Sequence, residues 1–173
     1  MLACVDVDYR GDQGPAVASC VVYEDWDSSE SHEERVAVIP RVAPYVPGQF
    51  YQRELLCVLQ VLDQVQTPLD AILVDGHVWL DDTGTPGLGA HLYRALEERI
   101  PVIGIAKNPF GDFHSQKRVF RGRSKRPLFV TAAGMEVEVA ANSVRRMHGA
   151  HRIPSLLTRA DQICRRPLGI QCS

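Results

Sequence analysis

The pattern of apolar and polar positions near the amino terminus predicts a β-hairpin followed by a third strand. Residues alternate with a period of two over Leu2–Arg10, and a second β-rich stretch covers Ala16–Tyr23 after a turn-forming segment at 11–14. Arg35–Ile39 would add a third strand after a polar, acidic connection. Together these segments predict an antiparallel three-strand meander.

Helical and strand patterns alternate through the middle of the chain. Apolar residues recur at helical spacing over about Tyr51–Val65 and again over about Gly87–Arg99. Each pattern is followed by a short, wholly apolar strand, at Ala71–Val74 and at Val102–Ala106. The meander and these parallel strands predict an α/β fold with a mixed sheet flanked by helices. One fold with this order is the ribonuclease H-like fold.

The remaining segments are predicted to close the same fold. Residues 107–126 would form a basic loop and Leu128–Thr131 a further strand, with closing helices over Val137–Met147 and Pro154–Cys164. No repeat or linker interrupts the pattern, so we expect all 173 residues, 1–173, to form a single domain.

Composition gives no sign of export or membrane insertion. The longest apolar run covers only five residues, far below the roughly 20 that a membrane-spanning helix needs, and no signal peptide is recognisable. The five cysteines lack CxxC spacing, which indicates reduced thiols. We expect a cytoplasmic protein without membrane contact, and a monomer, because the helices show no heptad pattern.

Charge is divided sharply along the chain. Residues 1–100 hold 17 acids and 6 bases, whereas residues 101–173 hold 4 acids and 13 bases. An acidic part that could hold cations, joined to a basic part that could hold polyanions, is what a metal-dependent enzyme acting on nucleic acid needs. The charge alone also fits a nearly neutral protein with uneven solvated faces.

Three carboxylates are candidates for one site. Asp6 lies within the first strand, Asp75 ends an apolar strand, and Glu54 lies on the helix between them. If the first and fourth strands are neighbours, these residues converge at the sheet edge where α/β proteins bind ligands. Such oxygen ligands suit Mg²⁺ or Mn²⁺. Their spacing alone leaves open that each is an ordinary capping, turn or surface acid.

Several blocks of residues resemble one protein family in their order and spacing. They are Val5-Asp6-Val7 with Tyr9, Pro44-Tyr45-Val46-Pro47-Gly48 followed by Arg53-Glu54, Val74-Asp75-Gly76-His77, Gly104-Ile105-Ala106-Lys107, Pro127-Leu128-Phe129-Val130, and His151-Arg152-Ile153-Pro154 with Thr158-Arg159-Ala160-Asp161. Over most of its length the chain resembles the endonuclease V family. The resemblance implies a ribonuclease H-like fold and an endonuclease that cleaves DNA or RNA near a deaminated purine.

In that family the cut falls at the second phosphodiester 3′ to hypoxanthine or inosine, leaving 3′-hydroxyl and 5′-phosphate ends. The resemblance therefore implies Mg²⁺ as cofactor, with Mn²⁺ able to substitute, inosine-containing nucleic acid as partner, and a role in repair or inosine-RNA processing. By motif, Asp6, Glu54 and Asp75 match the metal carboxylates, and Asp161 matches a position near the site that could also hold metal. Lys107 would offset charge on the reacting phosphate.

The resemblance also assigns residues to nucleic-acid contact. Tyr45 matches a wedge that replaces stacking when a base is extruded, and Gly48, Gln49, Phe50 and Gly76 match the pocket for that base. Plain turn glycines and a packed aromatic remain the alternative for these positions. A basic run is expected to contact phosphates, with a solvated loop as the alternative: Lys117, Arg118, Arg121, Arg123, Lys125 and Arg126.

The chain departs from the family pattern after Asp75-Gly76-His77. Val78 stands where the family has glycine, and Asp81 or Asp82 where it has histidine before proline. The helical segment that precedes the first strand in the family is expected to be missing. These departures leave two alternatives to an inosine-directed nuclease: a nucleic-acid-binding module of the same fold with little cleavage, and a structure-specific nuclease with another substrate.

Overall fold

The computed structural model describes residues 1–11, 14–42, 50–111 and 114–167. Within these ranges the strands are β1 (Leu2–Tyr9), β2 (Ala16–Tyr23), β3 (Glu33–Ile39), β4 (Ala71–Asp75), β5 (Val102–Ala106), β6 (Lys117–Val119) and β7 (Leu128–Ala133). The helices there are α1 (Phe50–Leu62), α2 (Leu88–Ala95), α3 (Val137–Arg146) and α4 (Ser155–Cys164). None of these helices combines the length and the apolar character needed to cross a bilayer.

The strands form one mixed sheet in the order β3-β2-β1-β4-β5-β7-β6. β1, β2 and β3 pair antiparallel as the predicted meander, and β4 and β5 extend the sheet in parallel beside β1. β7 then pairs antiparallel with β5, and β6 with β7. The predicted ribonuclease H-like α/β fold is therefore confirmed, and the first and fourth strands are neighbours as expected.

Helices cover both faces of the sheet. Side chains alternate between the two faces along each strand, so Cys4 and Leu73 pack with α3 and α4, while Ala3 and Ile72 pack with α1 and α2. Both faces of the central strands are thus buried, which explains their nearly continuous apolar sequences. Polar side chains can therefore gather at the ends of these strands, where the helices do not cover them.

Two predicted elements differ from the structure. The second helix ends at Ala95 and not near Arg99, because Glu97 and Glu98 adopt left-handed conformations with φ of 55° and 58°. The predicted basic loop over 107–126 contains the short strand β6, which pairs with β7. Three residues inside a basic run are too short a strand to show a period of two.

Candidate active site

The pairing of β1 with β4 brings Asp6 and Asp75 to the same edge of the sheet. Val5 lies opposite Val74 in the parallel register, so the next residue of each strand is an aspartate. Both line a cavity of about 200 Å³, together with Lys107 from the end of β5 and Asp161 from α4. The sequence-predicted residues from four separate segments thus meet in one cavity.

Lys107 brings a positive charge to Asp75 and Asp6. Its Nζ lies 2.5 Å from Asp75 Oδ2, and both side chains are partly exposed. Partial burial disfavours the ammonium, but the hydrogen bond and charge of Asp75, with Asp6 and Asp161, outweigh it and raise the pKa of Lys107. The lysine is therefore charged at neutral pH and held beside the cavity.

Glu54 is supplied by α1, which packs on the opposite face of the sheet from α4. Arg53, the residue before it, is buried with its guanidinium 4.6 Å from the centre of the Tyr9 ring at the end of β1. This contact fixes the start of α1 against β1. It places Glu54 near enough for the charges of Asp6 and Asp75 to act on its carboxyl group.

Burial and neighbouring negative charges disfavour the anionic forms of Asp6 and Glu54. Burial, and after it the charge of Asp75, raises the pKa of Asp6 to about 7. Burial, and after it the charges of Asp6 and Asp75, raises the pKa of Glu54 to about 8. A group of carboxylates with such pKa values gains stability from a nearby cation.

The donor chemistry of this group fits a hard divalent cation. Asp6, Glu54 and Asp75 offer carboxylate oxygens, which Mg²⁺ and Mn²⁺ prefer, and Asp161 lines the smaller cavity together with Asp6 and Asp75. In the part of the chain that the structure describes, no group of three or more His, Cys, Asp or Glu side chains is arranged closely enough to hold a metal ion by itself. Magnesium suits an open group of carboxylates, because it retains several waters.

A second and larger cavity of about 530 Å³ adjoins the carboxylates and shares Glu54 and Asp75 with the site. Its other lining residues are Tyr51, Gly76, His77, Leu80, Thr85, Pro86, Gly87, Leu88, His91 and Phe110. Tyr51 and His91 stack in parallel with their ring centres 3.6 Å apart. A mostly apolar cavity with an aromatic wall suits a planar ligand.

Two glycines allow the backbone to pack closely beside Asp75. Gly76 has a φ of +145°, a backbone conformation that residues other than glycine rarely adopt, and it turns the chain directly after Asp75. A Cβ on Gly104 would lie 2.6 Å from the carbonyl oxygen of Gly76. Because neither residue carries a side chain, the turn after β4 can pack closely against β5.

Sequence reasoning assigned no role to Arg152, yet the structure places its guanidinium beneath Lys107. Arg152 donates hydrogen bonds to the carbonyl oxygens of Lys107 and Pro127, the latter at 2.6 Å. It thereby fastens the segment before α4 to the ends of β5 and to the start of β7. No local pattern could reveal these contacts, because the partners lie far apart in the sequence.

Part of the predicted base pocket lies outside the described residues. Tyr45, Gly48 and Gln49 fall there, and Phe50 is described only as the first residue of α1. Gly76 does line the larger cavity.

Arg121 differs from the other cations of the predicted phosphate-binding run. It is only 5% exposed, and its guanidinium donates to carbonyl oxygens around the end of α3, including those of Met147 and His151. Arg121 is therefore a buried structural residue, because these carbonyls compensate the charge that burial would otherwise leave unpaired. Lys117 pairs with Glu138 at 2.9 Å. The others are exposed: Arg118, Arg123, Lys125 and Arg126.

Comparison with known sequences identifies the family. The family model of endonuclease V matches residues 1–126. The endonuclease V of Streptomyces avermitilis is 30% identical over 184 residues, covering 95% of this chain and 79% of that protein. The endonuclease V of Rhodospirillum centenum is 31% identical over 183 residues, covering 93% and 75%.

Solved structures agree. The crystal structure of the Streptomyces avermitilis enzyme matches with a TM-score of 0.75 at 28% identity, covering 95% of this chain and 79% of that one. A Ciona intestinalis endonuclease V, in complex with a 24mer DNA containing an inosine followed by a ribo-adenosine, shares the fold with a TM-score of 0.80 at 19% identity, covering 95% and 83%. With the family model matching most of its length and these relatives nearly all of it, the chain belongs to the endonuclease V family of nucleases.

Proposed function

We propose that this chain is a magnesium-dependent endonuclease that cleaves DNA or RNA at the second phosphodiester 3′ to hypoxanthine or inosine. The observation that carries the proposal is the meeting of Asp6, Asp75, Lys107 and Asp161 in one cavity, directly beside a larger cavity with an aromatic wall. The reaction leaves 3′-hydroxyl and 5′-phosphate ends and does not excise the base. Membership of the endonuclease V family supports this reaction class.

Asp6, Glu54 and Asp75 would hold the metal, with Asp161 as a further oxygen donor. When bound, the ion supplies Lewis-acid chemistry, which polarises a phosphate and activates a water. The carboxylates would contribute the negative charge that retains the ion. Burial, and after it the neighbouring negative charges, raises the pKa values of Asp6 and Glu54, and a bound cation would offset both effects. Mn²⁺ has the same preference for oxygen and would substitute.

Lys107 supplies the charge that a phosphodiester needs as negative charge develops on its oxygens. Its ammonium is held at the cavity by Asp75, 2.5 Å away, so it need not be reoriented for the reaction. A preorganised cation in a partly enclosed site stabilises a developing anion more than it stabilises the starting phosphate. We propose that Lys107 donates a hydrogen bond to a non-bridging or leaving oxygen.

The larger cavity would receive the extruded base. Gly76 forms part of its wall and is directly bonded to Asp75, so a base held there leaves its backbone within reach of the carboxylates. The inosine in the DNA bound to the Ciona intestinalis relative supports the choice of base. Tyr45 remains the proposed wedge, and the exposed Arg118, Arg123, Lys125 and Arg126 the proposed contacts to phosphates.

A cleavage assay tests this function. End-labelled DNA and RNA strands carrying one inosine, and matched strands carrying guanine, are incubated with the protein in Mg²⁺, Mn²⁺ or a chelator. We expect one product from each inosine strand that the enzyme accepts, in either metal and not in the chelator. Binding without a product would favour a binding module, and equal cleavage of the guanine strands would favour a nuclease directed to another structure.

A further inference from the structure

Two adjacent acidic residues, Asp81 and Asp82, lie where the chain departs from the family pattern, and the structure gives them different partners. Both lie in the loop between β4 and α2, which covers residues 76–87. This loop supplies Leu80, Thr85 and Pro86 to the wall of the larger cavity. Its conformation therefore determines the shape of that wall.

Asp81 makes the loop rigid from within. Its Oδ1 accepts hydrogen bonds from the backbone N–H of Thr83 at 2.9 Å and of Thr85 at 3.0 Å, and from the Thr83 hydroxyl at 2.7 Å. These bonds stabilise a local turn, because all of the donors lie within four residues of Asp81. The Thr85 hydroxyl, which donates to Asp81 Oδ2, and after it these bonds hold the pKa of Asp81 down at about 2, so the carboxylate stays charged at neutral pH.

Asp82 instead reaches a different loop, the one between β5 and β6. Its Oδ2 accepts a hydrogen bond from the backbone N–H of His114 at 2.9 Å. Its Oδ1 accepts bonds from the backbone N–H of Ser115 at 2.9 Å and from the Ser115 hydroxyl at 3.1 Å. One carboxylate thus satisfies three donors from a segment more than thirty residues away.

Both loops contribute side chains to the wall of the larger cavity. Phe110 of the β5–β6 loop lines this cavity together with Leu80 and Pro86 of the β4–α2 loop. A second contact joins the same two loops, with His77 Nε2 3.1 Å from the carbonyl oxygen of Asn108. The base of the β4–α2 loop is fixed to β7, because the N–H of Val78 donates to Thr131 Oγ1 at 2.8 Å. Asp82 fixes its outer part.

We propose that Asp82 is a positioning residue that sets the shape of the base cavity by tying the β4–α2 loop to the β5–β6 loop. The inference rests on the proposed function, in which this cavity receives an extruded purine. Loss of the tie lets the walls separate, which weakens the fit around the base without altering the carboxylates or Lys107. Substrate binding therefore suffers more than the chemical step.

The tie itself is measured by amide hydrogen exchange, followed residue by residue by NMR. In the parent protein the amides of His114 and Ser115 should exchange slowly, because each donates to a carboxylate oxygen. Asp82→Ala should release both amides, whereas Asp81→Ala should release those of Thr83 and Thr85 and leave His114 and Ser115 protected. Rapid exchange of both amides in the parent protein would overturn the proposal.

The effect on substrate is measured by steady-state cleavage of an inosine-containing strand. We expect Asp82→Ala to raise KM about tenfold, the size that charge-assisted hydrogen bonds support, with kcat changed by less than about twofold. Ser115→Ala, which removes one of three bonds, should raise KM less. Asp25→Ala is the matched control, because Asp25 also accepts a backbone N–H in a loop, that of Trp26, but contacts neither wall of the cavity.

The outcomes separate this inference from the proposed function. An unchanged KM in Asp82→Ala, with the amides of His114 and Ser115 released, would overturn the role of Asp82 while the parent enzyme still cleaves inosine strands. A fall in kcat equal to the rise in KM would also contradict a positioning role confined to the base. A parent enzyme that cleaves no inosine strand overturns the proposed function and this role with it, whereas the exchange data still report whether the tie exists.

Discussion

Lys107 Nζ lies 2.5 Å from Asp75 Oδ2, so the cation at the end of one strand pairs with a carboxylate at the end of its parallel neighbour. This ion pair joins a proposed metal ligand, Asp75, to the cation proposed to stabilise the phosphate, Lys107. The sequence alone placed the two residues only in the same region of the sheet. Asp75 lies in both cavities' linings, and Lys107 lies in that of the smaller one. Each residue therefore has a distinct effect when it is replaced.

Lys107→Met should lower kcat by about a hundredfold and leave KM within a few fold. Methionine preserves the length and apolar character of the side chain but removes the charge that stabilises the developing anion. Lys107→Arg should recover part of the loss, because it restores the charge with another geometry. Single-turnover cleavage of an inosine strand measures both variants, and equal rates for the parent and Lys107→Met would contradict the role of Lys107.

Asp75→Asn and Asp6→Asn should each lower cleavage by at least about a hundredfold while leaving substrate binding intact or stronger. Each change removes a metal ligand, and each also removes a negative charge that repels phosphate. Calorimetric titration with Mn²⁺ should show weaker metal binding in both variants. Asp63→Asn is the control, because it removes an exposed carboxylate just after α1. Parent-like Mn²⁺ binding in both site variants would exclude this metal site.

The metal-free protein should become less stable as the pH rises from about 4.5 to about 8. The pKa of Glu54 is raised to about 8 in the folded state, and that of Asp6 to about 7, so the folded state binds more protons than the unfolded state in this range. Melting curves in chelator should show Tm falling by roughly 10 °C or more over that range. Glu54→Gln should flatten the dependence, and Mg²⁺ or Mn²⁺ should restore Tm most at the alkaline end. A Tm that rises with pH in chelator would contradict the raised pKa values of Asp6 and Glu54.

The exposed cations between β6 and β7 should control the salt dependence of binding. Replacing Arg123, Lys125 and Arg126 together by alanine should weaken binding and reduce the slope of log K against log salt by about 2 to 3. Arg99→Ala is the control, because Arg99 precedes β5 and lies at the opposite edge of the sheet from the site. Fluorescence anisotropy at several salt concentrations measures the slopes, and a triple variant with the parent slope would remove these residues from the interface.

The sequence predicted the elements whose signals are local. The period of two over Leu2–Arg10 and the β-rich stretch Ala16–Tyr23 predicted the hairpin, and the apolar run Val102–Ala106 predicted β5 to the residue. The adjacency of Asp6 and Asp75 followed from the order of strands, because few arrangements connect a meander to parallel strands. The pattern was misleading at the end of α2. Leu96 continues the helical spacing of apolar residues, but the helix ends at Ala95 and Glu97 has a positive φ.

The contacts that the sequence could not predict join residues far apart in the chain. Arg121 belongs to a basic run, and nothing in that run distinguishes the one side chain that turns inward to the carbonyl of Met147. The bond between Asp82 and His114 depends on how two loops meet above the cavity. Such contacts follow from the assembled fold, and local residue patterns carry no information about them.

The most direct test of the proposed function is the mass of the fragments from one inosine-containing strand. With Mg²⁺, the parent protein should yield two fragments whose masses place the cut at the second phosphodiester 3′ to inosine, with a 3′-hydroxyl on one and a 5′-phosphate on the other. Asp75→Asn should leave the strand intact under the same conditions. Fragments at another position, or the same fragments from Asp75→Asn, would contradict an inosine-directed, metal-dependent nuclease centred on Asp75.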